Sequence, residues 1–195
     1  MLEHLGLLSE FAAKKFGDKE ALHFDEKSFS FRELHNMIEK FGAGLISLGV
    51  KEKEVVTLYA SNGWEWIVSY FAIARIGAVI NPVNTMLTSA DIIYVVNDCG
   101  AKTIISSEDK IEALTNIREH TQIENIVSFG NKDRGIQSFH SLLAENFLIE
   151  RKPNVSPKDL STIAYTSGTT GHPKGAMQSH EAVILNGSMM SQLHM

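Results

Sequence analysis

Apolar and polar residues follow each other along this chain in two alternating patterns. Residues 20–31 alternate between apolar and polar around an Asp-Glu-Lys turn, which predicts a hairpin of two short strands. Ser30 and Glu33 then have the spacing of a capping box, and apolar residues recur at helical intervals as far as Gly49, which predicts an amphipathic helix. Strand-like and helix-like segments continue to alternate beyond it. This alternation predicts an α/β fold with a parallel or mixed sheet covered by helices.

The later segments are assigned in the same way. The runs at 55–60 and 160–165 are almost continuously apolar, as expected of strands that are buried on both faces. Asn62 is in position to cap one helix, and Thr88 with Asp91 to open another. The predicted strands are residues 55–60, 78–81, 102–106, 125–129 and 160–165, and the predicted helices are residues 64–76, 88–100, 111–119 and 181–195.

Two prolines and several charges interrupt every period at residues 150–158, which predicts a surface connection. This connection would separate an N-terminal α/β subdomain, residues 1–149, from residues 159–195, which hold a strand, a loop and the start of a next subdomain. The last segment, 181–195, has helical spacing but ends without a glycine, a proline or another stop signal. The sequence therefore predicts that the second unit is truncated.

Composition narrows the function classes. The chain has 195 residues, of which 44% are hydrophobic and 21% charged, which is ordinary for a globular protein. Its net charge of -5 and the absence of basic blocks predict no nucleic-acid partner. The single cysteine, Cys99, and an N-terminus unlike a signal peptide predict a reducing, cytoplasmic setting. The most apolar stretch, residues 66–74, is too short to span a membrane.

Candidate chemistry is concentrated between residues 161 and 175, where Ser, Thr and Gly follow an apolar strand and a lysine comes near the end. Gly168 and Gly171 allow backbone N–H groups to approach anionic oxygens closely. Lys174 adds a compact positive charge. Hydroxyl donors, one of which could also ligate magnesium, come from Thr166, Ser167, Thr169 and Thr170. This combination is what a phosphate-binding loop requires.

The loop has two other interpretations, a surface loop and a Walker-type loop. A Ser/Thr/Gly-rich surface loop is common, and composition alone would favour it. A Walker-type loop needs four residues between its glycines and Ser or Thr directly after the lysine, and this sequence has neither. Pro173 also opposes a helix that begins at Lys174. The ordered motif, rather than composition, therefore supports phosphate binding.

The segment YTSGTTGHPKG, residues 165–175, resembles the signature of the AMP-forming acyl-activating superfamily, which includes acyl-CoA synthetases, luciferases and peptide-synthetase adenylation domains. FSFRELH at 29–35, NGWEW at 62–66 and the segment 77–102 resemble the early helices and strands of that family in the family's order. The resemblance implies the N-terminal portion of the large domain of an adenylate-forming enzyme. It also implies Thr166 as a magnesium ligand and a nucleotide phosphate-binding set of Thr166, Ser167, Gly168, Thr169, Thr170, Gly171 and Lys174.

By the same resemblance, the parent protein is expected to be an ATP-dependent ligase that converts a fatty acid or related carboxylate to acyl-AMP and then to acyl-CoA. Its small molecules would be the carboxylate, ATP, Mg²⁺ and coenzyme A. The alternatives are an adenylation domain that loads a carrier protein and, for this chain alone, a phosphate-binding module without turnover. The adenine site and the principal catalytic lysine are expected outside these residues, so the catalytic residue is unknown. The 195 residues alone are expected to be inactive and to self-associate.

Several other features are given structural interpretations. The eight histidines form no close ligand pair in sequence, so a zinc site is not predicted. Ser167 lacks a GxSxG context and a nearby base, which disfavours a serine hydrolase. Gly42 and Gly44 are interpreted as close-packing positions in a helix, and the aromatic residues near Trp64 as core. His180 is expected to face solvent or to start a helix.

Overall fold

The computed structural model describes residues 2–130, 135–145, 147–166 and 172–193, with the backbone alone from residue 190. In this part of the chain, a mixed sheet lies between two layers of helices. The helices are α1 (Leu8–Phe16), α2 (Phe31–Ser47), α3 (Trp64–Arg75), α4 (Ser89–Cys99), α5 (Ile117–His120), α6 (Phe139–Ala144) and α7 (His180–Leu193). The strands are β1 (Glu20–Phe24), β2 (Lys27–Ser30), β3 (Val55–Tyr59), β4 (Val79–Pro82), β5 (Thr103–Ser106), β6 (Asn125–Ser128), β7 (Gln137–Ser138), β8 (Leu160–Thr166) and β9 (Lys174–Ser179).

Seven of the described strands form one sheet in the order β7-β6-β5-β3-β4-β8-β9. Neighbours from β7 to β8 are parallel, and β9 runs antiparallel to β8. Strands β1 and β2 form a separate antiparallel hairpin. The predicted α/β class with a mixed sheet covered by helices is therefore confirmed.

Each central strand sends its side chains into two separate cores. Val56 and Leu58 of β3 pack with residues of α2, α3 and α6, whereas Tyr59 packs with residues of α4 and α5. Ile105 and Ile104 of β5 divide in the same way. Because side chains alternate across a strand, a run of apolar residues can fill both cores at once. This explains why the run at 55–60 is almost entirely apolar, with the buried Thr57 as its one polar side chain besides the Tyr59 hydroxyl.

Short-range signals fixed two helix starts. The Ser30 hydroxyl accepts from the Glu33 N–H at 3.2 Å while the Glu33 carboxylate accepts from the Ser30 N–H at 2.8 Å. Thr88 and Asp91 make the same reciprocal pair at the start of α4. Gly100 ends α4 in the left-handed region at φ +67°, where a residue without Cβ is favoured. Both predicted capping boxes are confirmed.

Other local predictions were wrong. The residue that caps α3 is Gly63, which makes no side-chain hydrogen bond, and not Asn62. The predicted helix at 111–119 is a 3-10 segment, Glu108–Leu114, followed by the short α5. Between them the Thr115 hydroxyl donates to the Glu112 carbonyl at 2.7 Å, which is the kind of local bond that competes with a continuous helix.

Close packing explains the glycines of α2. A Cβ on Gly42 would lie 3.1 Å from Ile76, and one on Gly44 would lie 3.0 Å from Leu142, so both positions bring neighbouring side chains against the α2 backbone. The connection at 150–158 has no helix or strand and is mostly exposed. No helix in the described part of the chain has the length and hydropathy that a bilayer span requires.

His180 anchors the N-terminal segment to the start of α7. Its side chain is 1% exposed, and its Nδ1 accepts the N–H of Leu5 at 3.3 Å. The ring of His4 lies edge-on at 5.7 Å. The pKa of His180 is lowered to about 4, mainly by burial and to a smaller extent by the nearby His4. His180 does start a helix, as expected, but the solvent-facing interpretation is wrong.

Acidification should therefore destabilise the chain through His180. Between the ordinary pKa of 6.5 and the folded-state pKa of about 4, the unfolded chain binds a proton that the folded chain excludes. The free energy of unfolding should thus fall as the pH falls through this window, by up to about 3 kcal/mol for His180. Urea unfolding at a series of pH values measures this loss.

The variant His180→Asn keeps an acceptor for the Leu5 N–H but does not titrate, so it should flatten the pH dependence. His120→Asn changes an exposed histidine and should leave the wild-type slope in place. Equal slopes in wild type and His180→Asn would contradict the assignment.

Candidate functional site

The β8–β9 hairpin makes Thr166 and Lys174 neighbours on adjacent strands. The two residues are Cα partners in the antiparallel ladder, and Tyr165 is paired with Gly175 next to them. Thr166 and Lys174 are both exposed. They lie where β8 ends, at the carboxyl edge of the parallel sheet, which is where ligands of open α/β sheets bind. One hydroxyl and one cation are therefore presented together at the favoured edge.

Two members of the predicted phosphate-binding set thus lie side by side in the structure. The other five lie outside the described residues, namely Ser167, Gly168, Thr169, Thr170 and Gly171. No helix begins at Lys174, as Pro173 led us to expect. Residues 174–179 form β9 instead, which the sequence did not predict, because Lys174, Gly175 and Ala176 have low strand propensity. Pairing with β8 along the whole strand outweighs that propensity.

Helix α4 contacts the hairpin on both sides of the loop. The Tyr165 hydroxyl donates to the Asp98 carboxylate at 2.5 Å. The His172 ring stacks on the Tyr94 ring, with centroids 4.3 Å apart and planes inclined by 14°. Burial, reinforced by the bond to Asp98, raises the pKa of the Tyr165 hydroxyl above its ordinary value, so the hydroxyl stays protonated and donates. Sequence reasoning missed Tyr94 and Asp98, because no motif links positions this far apart in the chain.

Asn81 attaches β8 to the rest of the sheet. Its side chain is fully buried, and its Nδ2 donates to the Ile163 carbonyl at 2.8 Å. The Thr57 hydroxyl donates to Asn81 Oδ1 at 3.0 Å. These bonds run from β3 through β4 to β8, beside the ladder pair of Ile80 and Thr162. A buried amide that satisfies partners on two neighbouring strands fixes the position of β8, and therefore of Thr166 at its end.

The sequence predicts Thr166 as a magnesium ligand. No cluster of three or more His, Cys, Asp or Glu side chains suited to a metal occurs within the described ranges. Mg²⁺ in nucleotide enzymes takes several ligands from water and substrate phosphates and few from protein. An exposed hydroxyl on Thr166, opposite the cation of Lys174, fits an ion that arrives with a polyphosphate. It does not fit a metal cage made of protein side chains alone.

Comparison with known proteins gives a consistent family assignment. A sequence model of the family described as AMP-binding enzyme matches residues 9–194. An indoleacetate–CoA ligase from Aromatoleum aromaticum is 29% identical over 90% of this chain and 35% of its own length. A 4-coumarate–CoA ligase from Arabidopsis thaliana is 29% identical over 80% of this chain and 28% of its own length. The chain thus spans about a third of the curated relatives that it matches.

Solved structures resemble the same residues. An anthranilate CoA ligase, AuaEII, in complex with anthranoyl-AMP has a TM-score of 0.89 at 27% identity, and the match covers 95% of this chain and 36% of that one. A long-chain-fatty-acid-CoA ligase from Archaeoglobus fulgidus has a TM-score of 0.86 at 27% identity, and the match covers 97% and 39% of the two chains. The fold is therefore that of the N-terminal part of adenylate-forming enzymes.

The Asn81 bonds generate a stability prediction. Replacing Asn81 by Ala leaves the buried Thr57 hydroxyl and the Ile163 carbonyl without this partner, so we expect the free energy of unfolding to fall by about 3 kcal/mol. Asn97→Ala is the matched control, because Asn97 is exposed and also donates to a backbone carbonyl, at 2.9 Å. The free energy of unfolding of Asn97→Ala should fall by less than about 1 kcal/mol. Urea unfolding of both variants measures the difference, and equal losses would count against the assigned role of Asn81.

Proposed function

This chain belongs to the AMP-binding enzyme family, and we propose that its full-length protein is an ATP-dependent ligase that joins a carboxylic acid to a thiol. The observation that carries the proposal is the pairing of Thr166 with Lys174 across the two strands that flank the signature loop. A phosphate chain bound there would meet a hydroxyl and a cation from opposite strands. Family membership supports the reaction class, and this pairing supports the proposal that phosphate binds between the two strands.

The proposed reaction has two steps. A carboxylate oxygen attacks the α-phosphorus of ATP, the bond to the pyrophosphate oxygen breaks, and acyl-AMP forms with release of pyrophosphate. The sulfur of a thiol then attacks the acyl carbon, loses its proton, and displaces AMP to give a thioester. We propose coenzyme A as the thiol, because the relatives compared above are named as CoA ligases. A carrier-protein thiol is the second candidate.

The substrate is proposed to be a fatty acid or a related carboxylate. Relatives and structural neighbours are named for indoleacetate, 4-coumarate, anthranilate and long-chain fatty acids. These molecules share a carboxylate attached to an aromatic or aliphatic group and differ in size. The choice within this class is expected to depend on residues outside this chain.

The loop is proposed to neutralise the negative charge of the ATP phosphates. Lys174 would pair with the pyrophosphate oxygens as negative charge develops on them, while Ser167, Gly168, Thr169, Thr170 and Gly171 would supply donors. Mg²⁺, held in part by the Thr166 hydroxyl, would neutralise the same phosphates. None of the residues in this set would act as a nucleophile. The adenine site and the principal catalytic lysine are proposed to lie outside these 195 residues, and the cytoplasmic location stays a prediction.

Lys174→Ala in the full-length protein tests the proposal. Because the partner proposed for Lys174 leaves in the first step, adenylation should slow by about 100-fold, while thioester formation from preformed acyl-adenylate should change little. Lys158→Ala removes an exposed lysine from the connection and serves as the matched control. The two half-reactions are measured separately by single-turnover kinetics, and an equal loss in both would exclude the assigned role.

For the 195-residue chain alone, we propose phosphate binding without turnover, together with self-association. Strand β9 pairs with β8 on one side and has no partner strand on the other within the described chain. Apolar side chains on β9 and α7 are also exposed, at 73% for Met177, 59% for Leu185 and 54% for Met189. An open strand edge beside exposed apolar side chains favours pairing with a second copy.

Light scattering over a concentration series should therefore show species larger than a monomer. Met177→Lys places a charge beside the open edge and should shift the population toward monomer. Met86→Lys is the matched control, since Met86 is 84% exposed and lies far along the chain from β9. A monodisperse wild-type monomer at every concentration would rule out self-association.

A further inference from the structure

Tyr165 connects helix α4 to the candidate phosphate site. Its backbone is joined directly to Thr166, and its ladder partner, Gly175, is joined directly to Lys174. Its hydroxyl donates to Asp98 in the last turn of α4 at 2.5 Å. One side chain therefore links both flanks of the signature loop to a helix on the face of the sheet.

Gly175 leaves the space that this arrangement needs. A Cβ at position 175 would lie 3.1 Å from Cζ of the Tyr165 ring and 2.9 Å from Cγ2 of Ile163. The Tyr165 ring thus lies across the backbone of β9 before its hydroxyl reaches Asp98. A side chain at position 175 would displace the ring, and the hydroxyl with it, away from α4.

Helix α4 is firmly held at both ends and along its buried face. The Thr88 and Asp91 capping box starts it, and the left-handed Gly100 ends it. Its inward-facing residues Ile92 and Val95 are fully buried in the core on that side of the sheet. A second contact, the stack of His172 on Tyr94, joins the same helix to the chain just before Lys174. Both flanks of the signature loop thus contact α4.

On the basis of the proposed function, we infer that Tyr165 and Asp98 are positioning residues for adenylation. The hydrogen bond from Tyr165 to Asp98 fixes the ring, the ring fixes the β8–β9 register at the loop end of the hairpin, and the register sets the spacing between Thr166 and Lys174. Neither residue needs to touch ATP. Loss of this bond should weaken the hold on magnesium and on the leaving pyrophosphate. Small displacements of positioned groups reduce reaction rates by large factors.

The test uses Tyr165→Phe, Asp98→Ala and Asp98→Asn in the full-length protein. Tyr165→Phe removes the hydroxyl alone, and we expect kcat/KM for adenylation to fall about 10-fold, with a matching rise in the Mg²⁺ concentration needed for half-maximal rate. Asp98→Ala should give the same losses. Asp98→Asn keeps an oxygen that accepts from the Tyr165 hydroxyl, and it should restore most of the activity. The double variant of Tyr165→Phe with Asp98→Ala should be no worse than either single variant.

The control is Tyr59→Phe, which removes another hydroxyl on the same face of the sheet, one that donates to the Leu87 carbonyl at 3.3 Å. This control should leave the Mg²⁺ dependence unchanged. Asp98 is exposed, so its variants test the inference even if Tyr165→Phe fails to fold. Unchanged Mg²⁺ dependence in Asp98→Ala would overturn the inference. If Lys174→Ala still impairs adenylation in that case, the proposed function stands and the positioning role alone fails.

Discussion

A parallel sheet has polar backbone at its edges and side chains on both faces, so it is stable in water only when both faces are covered. In this chain that constraint determines where nearly every helix lies. Helices α2, α3 and α6 cover one face, and α4 and α5 cover the other. Because α4 covers the second face, it lies beside the carboxyl end of β8, where the candidate site begins. Packing of the core therefore also supplies the support for the site.

The site itself depends on a change of strand direction. Strands β3 to β8 run parallel, but β9 turns back along β8, so the residues on either side of the signature loop become neighbours. A parallel connection would have sent Lys174 to the opposite edge of the sheet. The antiparallel return instead makes Lys174 the ladder partner of Thr166. For a reaction in which negative charge develops on departing pyrophosphate, preorganised charge of this kind is the main contribution that protein side chains can make.

Sequence patterns predicted the structural features that depend on residues close together in the chain. The capping boxes at Ser30 and Thr88 were found because both partners lie three residues apart. Strand β9 was missed because its stability comes from β8 and not from its own residues. The burial of His180 and the bond from Tyr165 to Asp98 were missed for the same reason, since the latter joins residues 67 positions apart. For residues 167–171, the motif remains the basis of the assignment.

We propose that this fold presents its β8–β9 hairpin to ATP so that a carboxylic acid can be activated. Carboxylate-dependent exchange of labelled pyrophosphate into ATP measures that step directly, with a panel of aliphatic and aromatic acids and the full-length protein. We expect Mg²⁺-dependent exchange with at least one acid of the panel and none without an acid. Release of ADP and phosphate in place of pyrophosphate exchange, or exchange that is independent of any carboxylate, would contradict it.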